Sequence, residues 1–119
     1  MKIIILALSL LSFLSQAANY AEVGVEVESK RLNGNAYYIP GMSGSATEYE
    51  GFISNAGFIV TTEGVVVFDG LGSPPLANAM LSEIRKVTDK PIKLVIVSHY
   101  HADHIYGLQV FKAQGAKIW

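Results

Sequence analysis

Hydrophobic and polar positions change their period several times along this chain, and each change marks an expected element. Lys2 is followed by an apolar run from Ile3 to Leu14, broken only by Ser9 and Ser12, and then by Ser15-Gln16-Ala17. A positive start, a short apolar stretch and small residues at the cleavage point describe a secretory signal peptide over residues 1–17, with cleavage expected after Ala17. The apolar run of 12 residues is short of the roughly 20 that a membrane-spanning helix needs. Residues 18–119 are therefore expected to be secreted or periplasmic, with no membrane span after signal cleavage.

From Glu22 to Glu28 the period is two, with Val23, Val25 and Val27 alternating with Gly24 and three glutamates. That pattern predicts a strand with one buried and one wet face. Leu32-Asn33-Gly34-Asn35 reads as a tight turn, and Ala36 to Ile39 as the returning strand. Its Tyr37 and Tyr38 read as packing residues. Residues 40–51, PGMSGSATEYEG, show no apolar period and predict a loop. Its length admits a flap over a functional pocket or an ordinary exposed connection.

Phe58-Ile59-Val60 and Val65-Val66-Val67-Phe68 flank Thr61-Thr62-Glu63-Gly64, the pattern of a hairpin built from β-branched and aromatic residues. The second run is apolar throughout, which predicts a strand covered on both faces. Ser73-Pro74-Pro75 then opens a helix, because serine caps the free amides of a first turn and proline suits its first position. Leu76, Met80, Ile84 and Val87 form the inward stripe. Asp89-Lys90-Pro91 stops the helix, and Ile92 to Val97 form another buried strand. Ile105 to Phe111 read as a short helix with Ile105, Leu108 and Phe111 inward, capped at Gly115. Ala116 to Trp119 begin a further strand. Strand alternating with helix from Val65 onward predicts an α/β sheet with helical crossovers.

Composition narrows the function classes. The 119 residues, half of them hydrophobic and with a formal net charge of −1, fit at most one modest domain. The absence of a basic patch argues against nucleic acid as a partner. With no cysteine in the chain there is neither a disulfide framework nor a cysteine for lipid attachment.

The chemistry concentrates in Ser98-His99-Tyr100-His101-Ala102-Asp103-His104, which holds all 3 histidines of the sequence. Imidazole and carboxylate are the donors that zinc prefers. If the backbone of residues 99–101 stays extended, His99 and His101 point to one side and can chelate a single ion. Asp103 and His104 follow as the chain turns, and hold either the same ion or a second one, as two-metal hydrolytic sites require. Asp69 ends a buried strand, at the edge where open α/β sheets place their sites. A plain turn aspartate is its bland alternative.

His-x-His-x-Asp-His after an apolar strand resembles the metal-binding motif of the metallo-β-lactamase superfamily. The order of the preceding elements is similar as well, and the export signal with the run Ser98 to Gly107 looks most like exported bacterial hydrolases, including the quinoprotein-relay or sulfur-oxidation-associated type. The resemblance implies a four-layer αββα sandwich of which only about the N-terminal half is present. It implies His99 and His101 as ligands of one zinc, Asp103 and His104 as donors to a second, and Asp69 as a support behind the ligands. Asp103 would also act catalytically, orienting the attacking water. The implied reaction is hydrolysis of an ester, thioester, lactone or lactam in a small-molecule substrate. The same superfamily includes iron-dependent redox enzymes, so iron is the alternative metal. That family completes its site with further histidines and an aspartate downstream, and none follow here. A fragment is therefore expected, either pairing with a missing C-terminal half or remaining a non-catalytic metal-binding piece.

Overall fold

Short-range turn chemistry sets the first hairpin. In the computed structural model, which describes residues 19–119, Gly34 turns with φ of 50° between strands β1 (Lys30–Asn33) and β2 (Ala36–Ile39). The positive angle is one that glycine adopts without a Cβ penalty. The expected signal peptide, residues 1–17, lies outside the described residues. β3 (Ala56–Val60) and β4 (Val65–Phe68) form the second hairpin, and Thr61 closes it by donating its Oγ proton to the Gly64 carbonyl at 2.7 Å. Helix α1 (Pro74–Val87) carries the chain to β5 (Ile92–Ile96), and helices α2 (Ala102–Ile105) and α3 (Leu108–Ala113) carry it to β6 (Lys117–Ile118).

The six strands form one sheet in sequence order, antiparallel from β1 to β4 and parallel from β4 to β6. Ser73 caps α1 by accepting the Leu76 amide at 3.3 Å, with proline next to it as expected. Leu76, Met80 and Ile84 press onto Phe58, Val65, Val67 and Val95 of the sheet, and all are fully buried. Tyr37 stacks on Phe58 with ring centroids 4.8 Å apart. α3 packs beside α1 and adds Val110 and Phe111 to the same core.

Four expectations need correction. Residues 23–27 are not a strand: their backbone joins no sheet, although Val23, Val25 and Val27 are half-buried and their neighbours exposed. The period of two specified an extended backbone with one buried side, and the surface it met was α1, with Pro75, Asn78, Ala79 and Ser82 lining the shared groove. β4 is not covered on both faces either. Phe68 is 37% exposed, and Val66, Leu94 and Ile96 on the same face are only half-buried. The stripe of α1 ends one turn early, with Val87 exposed. Finally, the last helix is two pieces, broken at Tyr106-Gly107 because backbone groups there bond to another turn.

Candidate metal centre

Parallel pairing of β4 with β5 brings Asp69 and the histidine motif to the same end of adjacent strands. The turn after β4 is strained. Asp69 and Leu71 take φ of 62° and 61°, a left-handed conformation that costs a side-chain-bearing residue on the order of 1–3 kcal/mol. Backbone bonds hold it: Asp69 N donates to Ile96 O at 2.9 Å, Gly70 N to His104 O at 2.7 Å, and Gly107 N to Leu71 O at 3.1 Å. The approach at Gly107 leaves no room for a side chain, since a Cβ there would stand 2.5 Å from the Ala77 Cβ and 2.9 Å from the Ser73 carbonyl oxygen.

That turn aims the Asp69 carboxylate at the motif. Oδ1 accepts the Ser98 amide at 2.7 Å, and Oδ2 accepts the Ser98 hydroxyl at 2.8 Å. His104 Nδ1 lies 2.8 Å from Oδ2, and an ionised carboxylate only accepts, so that nitrogen carries a proton. Ser98 has committed its single proton to Asp69, so His99 Nδ1, 2.9 Å from Ser98 Oγ, donates to it. Asp69 thereby sets two tautomers, that of His104 directly and that of His99 through Ser98. In each neutral ring the lone pair is left on Nε2.

Those free nitrogens face partners. His99 Nε2 is 3.1 Å from His101 Nδ1, and His104 Nε2 is 3.3 Å from Asp103 Oδ2. Two donors at 2.0–2.1 Å from one tetrahedral zinc stand about 3.3 Å apart. Both pairs therefore have the spacing of ligands that share an ion, and one histidine of each pair, His99 or His104, has its outer ring nitrogen anchored as in metal-binding histidines. The His99 and His104 ring centroids are 4.1 Å apart, so the two pairs are immediate neighbours. Among the described residues no group of three His, Cys, Asp or Glu side chains gathers around one point, which leaves two pairs of donors.

Every residue expected at the site from sequence is brought here: His99, His101, Asp103, His104 and Asp69. Sequence reasoning missed three contributors. Ser98 acts as the relay between Asp69 and His99, and its place directly before the first histidine was the available signal. Ser54 touches the motif from a segment 49 residues away, and Gly107, three residues after the motif, ties it to the remote Leu71 turn; nothing local to either residue announces its partner. Residues 40–51 come near the site at their end, where the Gly51 carbonyl oxygen would be 3.0 Å from a Cβ on Gly72, a residue that also abuts Asp103.

The sequence profile of the metallo-beta-lactamase superfamily matches residues 49–119. A metallo-beta-lactamase type 2 from Elizabethkingia meningoseptica is 34% identical over 95 residues, covering 79% of this chain and 37% of that protein. A linear primary-alkylsulfatase from a Pseudomonas species is 38% identical over 56 residues, covering 47% of this chain and 11% of that enzyme. Among solved structures, a B3 metallo-beta-lactamase with an active-site glutamic acid superposes with a TM-score of 0.60 at 26% identity, covering 78% of this chain and 32% of that one. A mixed sheet backed by helices, with a histidine-rich turn at the ends of its parallel strands, is part of one domain of that fold. The chain belongs to the metallo-beta-lactamase superfamily, and it spans less than two fifths of the length of the curated relatives it matches.

Proposed function

We propose that this chain carries the motif-bearing part of an exported zinc-dependent hydrolase that acts on a small molecule. His99 and His101 hold one ion, and Asp103 and His104 hold a second. The observation that carries this reading is the pair of donor separations, 3.1 Å and 3.3 Å, each presented by a ring whose far nitrogen or neighbouring group is already fixed by Asp69 or Ser98. Zinc in such a site supplies a water that ionises near neutral pH and polarises the bond to be attacked. Asp69 keeps His99 and His104 in the tautomers that present Nε2. Asp103 orients the attacking water, its Oδ2 lying 3.3 Å from the His104 Nε2 that carries the lone pair.

Esters, thioesters, lactones and lactams all fit this chemistry, and the alkylsulfatase relative adds sulfate esters. The half-covered sheet face around Val66, Phe68, Leu94 and Ile96 is where we place a second, complementary sheet in the complete protein. Export rests on residues 1–17; among the described residues no helix is long and apolar enough to cross a membrane.

A second reading is favoured by the donor count. Two pairs without a third ligand each suit a metal-binding piece that does not turn over substrate by itself. Metal analysis of the purified chain, which also separates zinc from iron, is paired with assays on a lactam, a thioester and an alkyl sulfate, before and after His101→Ala. Zinc bound and hydrolysis lost in the variant support the hydrolase. Stoichiometric zinc with no turnover supports the binding piece, and no metal in either protein sinks both.

A further inference from the structure

The backbone of α2 is bonded in an unusual way. Ala102 O accepts the Tyr106 amide at 3.1 Å, one ordinary helical bond. The next carbonyl, that of Asp103, would accept Gly107 N in a regular helix, but Gly107 N donates to Leu71 O instead. His104 O accepts Gly70 N. Asp103 O is left for Ser54, whose hydroxyl donates to it across 49 residues of sequence. Ser54 precedes β3 and is only 4% exposed. It is thus a buried hydroxyl spent on a carbonyl of the motif turn that its own helix leaves without a donor.

From this we propose that Ser54 is the positioning residue for Asp103. The inference rests on Asp103 and His104 being ligands of one ion. A buried carbonyl without a donor costs about 1–3 kcal/mol, and the donor that a regular helix would give Asp103 O is the Gly107 amide. Recovering that amide rotates α2 and breaks the Gly107–Leu71 bond that ties the motif to the Asp69 turn. Asp103 Oδ2 then leaves its place 3.3 Å from His104 Nε2. Gly72 limits the alternatives, since the Asp103 Cα lies 3.4 Å from where its Cβ would be. Ser54 holds the second donor pair in register while leaving the His99 and His101 pair untouched.

The test is cobalt(II) titration of the full chain, followed by visible absorption, for wild type, Ser54→Ala, Ser54→Thr and Asp103→Asn. Ser54→Ala is expected to weaken the second cobalt by about 10–100-fold, the usual effect of removing a group that orients a ligand, with the first cobalt unchanged. Ser54→Thr keeps the hydroxyl and restores the second event. If Asp103→Asn binds cobalt as wild type does, or neither binds it, the ligand reading itself has failed. If Asp103→Asn weakens binding and Ser54→Ala does not, or Thr is no better than Ala, only the role of Ser54 is overturned. An alanine variant that does not fold while the threonine variant does assigns the hydroxyl to folding and also overturns it.

Discussion

Two stretches of irregular backbone flank α1, and they are held in different ways. The turns at Asp69–Ser73 and Ser98–Gly107 are locked by backbone bonds to each other, by one carboxylate serving Ser98 and His104, and by glycines with no space for a Cβ. The segment Tyr20–Ser29 joins no sheet. It lies on α1 through alternate valines and is clasped at two points, where Glu50 accepts the Gly24 amide at 2.7 Å and Glu83 accepts the Ser29 amide at 2.9 Å. Both stretches are extended or turning chain, so secondary structure does not separate them. Directional bonds from several elements fix atoms, whereas apolar contact with a helix fixes only a side.

The largest expected effect tests the locked side. Gly107→Ala places a methyl against the Gly70 and Ser73 carbonyls and Ala77, and the backbone cannot retreat without giving up the bonds that hold the turn. Overpacking of this kind costs about 1–3 kcal/mol or more, so thermal denaturation should fall by about 10 °C or more. A melting point within about 2 °C of wild type would show that the turns tolerate slack.

Asp69→Asn should leave the fold largely standing and injure the centre. The amide puts a donor where the Ser98 hydroxyl and His104 Nδ1 both need an acceptor, so the His99 and His104 tautomers lose their common anchor. Zinc affinity measured against a competing chelator should drop about 10–100-fold, and nitrogen chemical shifts of the rings should report mixed tautomers. Unchanged tautomers would mean that Asp69 only holds the backbone.

On the strap side, Glu83→Ala removes the acceptor for the Ser29 amide and hydroxyl and the partner of Lys86. A loss of about 1–2 kcal/mol is expected for bonds to a charged group at this degree of burial. Hydrogen exchange should quicken at residues 23–29 and stay slow at the Asp69 and motif turns. Acid should act alike. Burial pushes the Glu83 carboxyl upward, but bonds from Lys86 and Ser29 outweigh it and hold the group below its ordinary 4.5. A carboxylate lowered on folding contributes stability above its unfolded value, and that contribution fades as pH falls through the folded one. The clasp is therefore intact at neutral pH and opens below about pH 4.5; exchange at residues 23–29 that is flat from pH 7 to 3 after correction for intrinsic rates would contradict it.

The smallest effect is expected at the other clasp. Glu50→Gln keeps an acceptor for the Gly24 amide at an exposed position and should change stability by less than about 0.5 kcal/mol. A larger loss in denaturant titration would mean that the strap depends on the charge at Glu50.

How far each part was legible follows from how local its cause is. The hairpin at Gly34, the second hairpin at Thr61–Gly64 and the serine-capped α1 were readable because each rests on residues within a few positions of one another. The four donors and Asp69 were readable from residue type, spacing and strand ends. The break in the last helix was not, because the amide of Gly107 is taken by Leu71 and the carbonyl of Asp103 by Ser54. Neither partner is near in sequence.

The sequence alone determined that an extended, half-buried segment precedes the sheet, that β4 and β5 end at a histidine-rich turn, and that the turn bears zinc-type donors. Periodicity and residue chemistry are properties of short windows, and these features need no more than that. Tertiary structure decided the rest: Val23, Val25 and Val27 lie on a helix and not in a ladder, one face of β4 stays open, and one carboxylate sets two imidazole tautomers, one directly and one through a serine. Apolar alternation states how much surface must be covered but not by what, and a hydrogen bond between residues 49 apart exists only once the chain has brought them together.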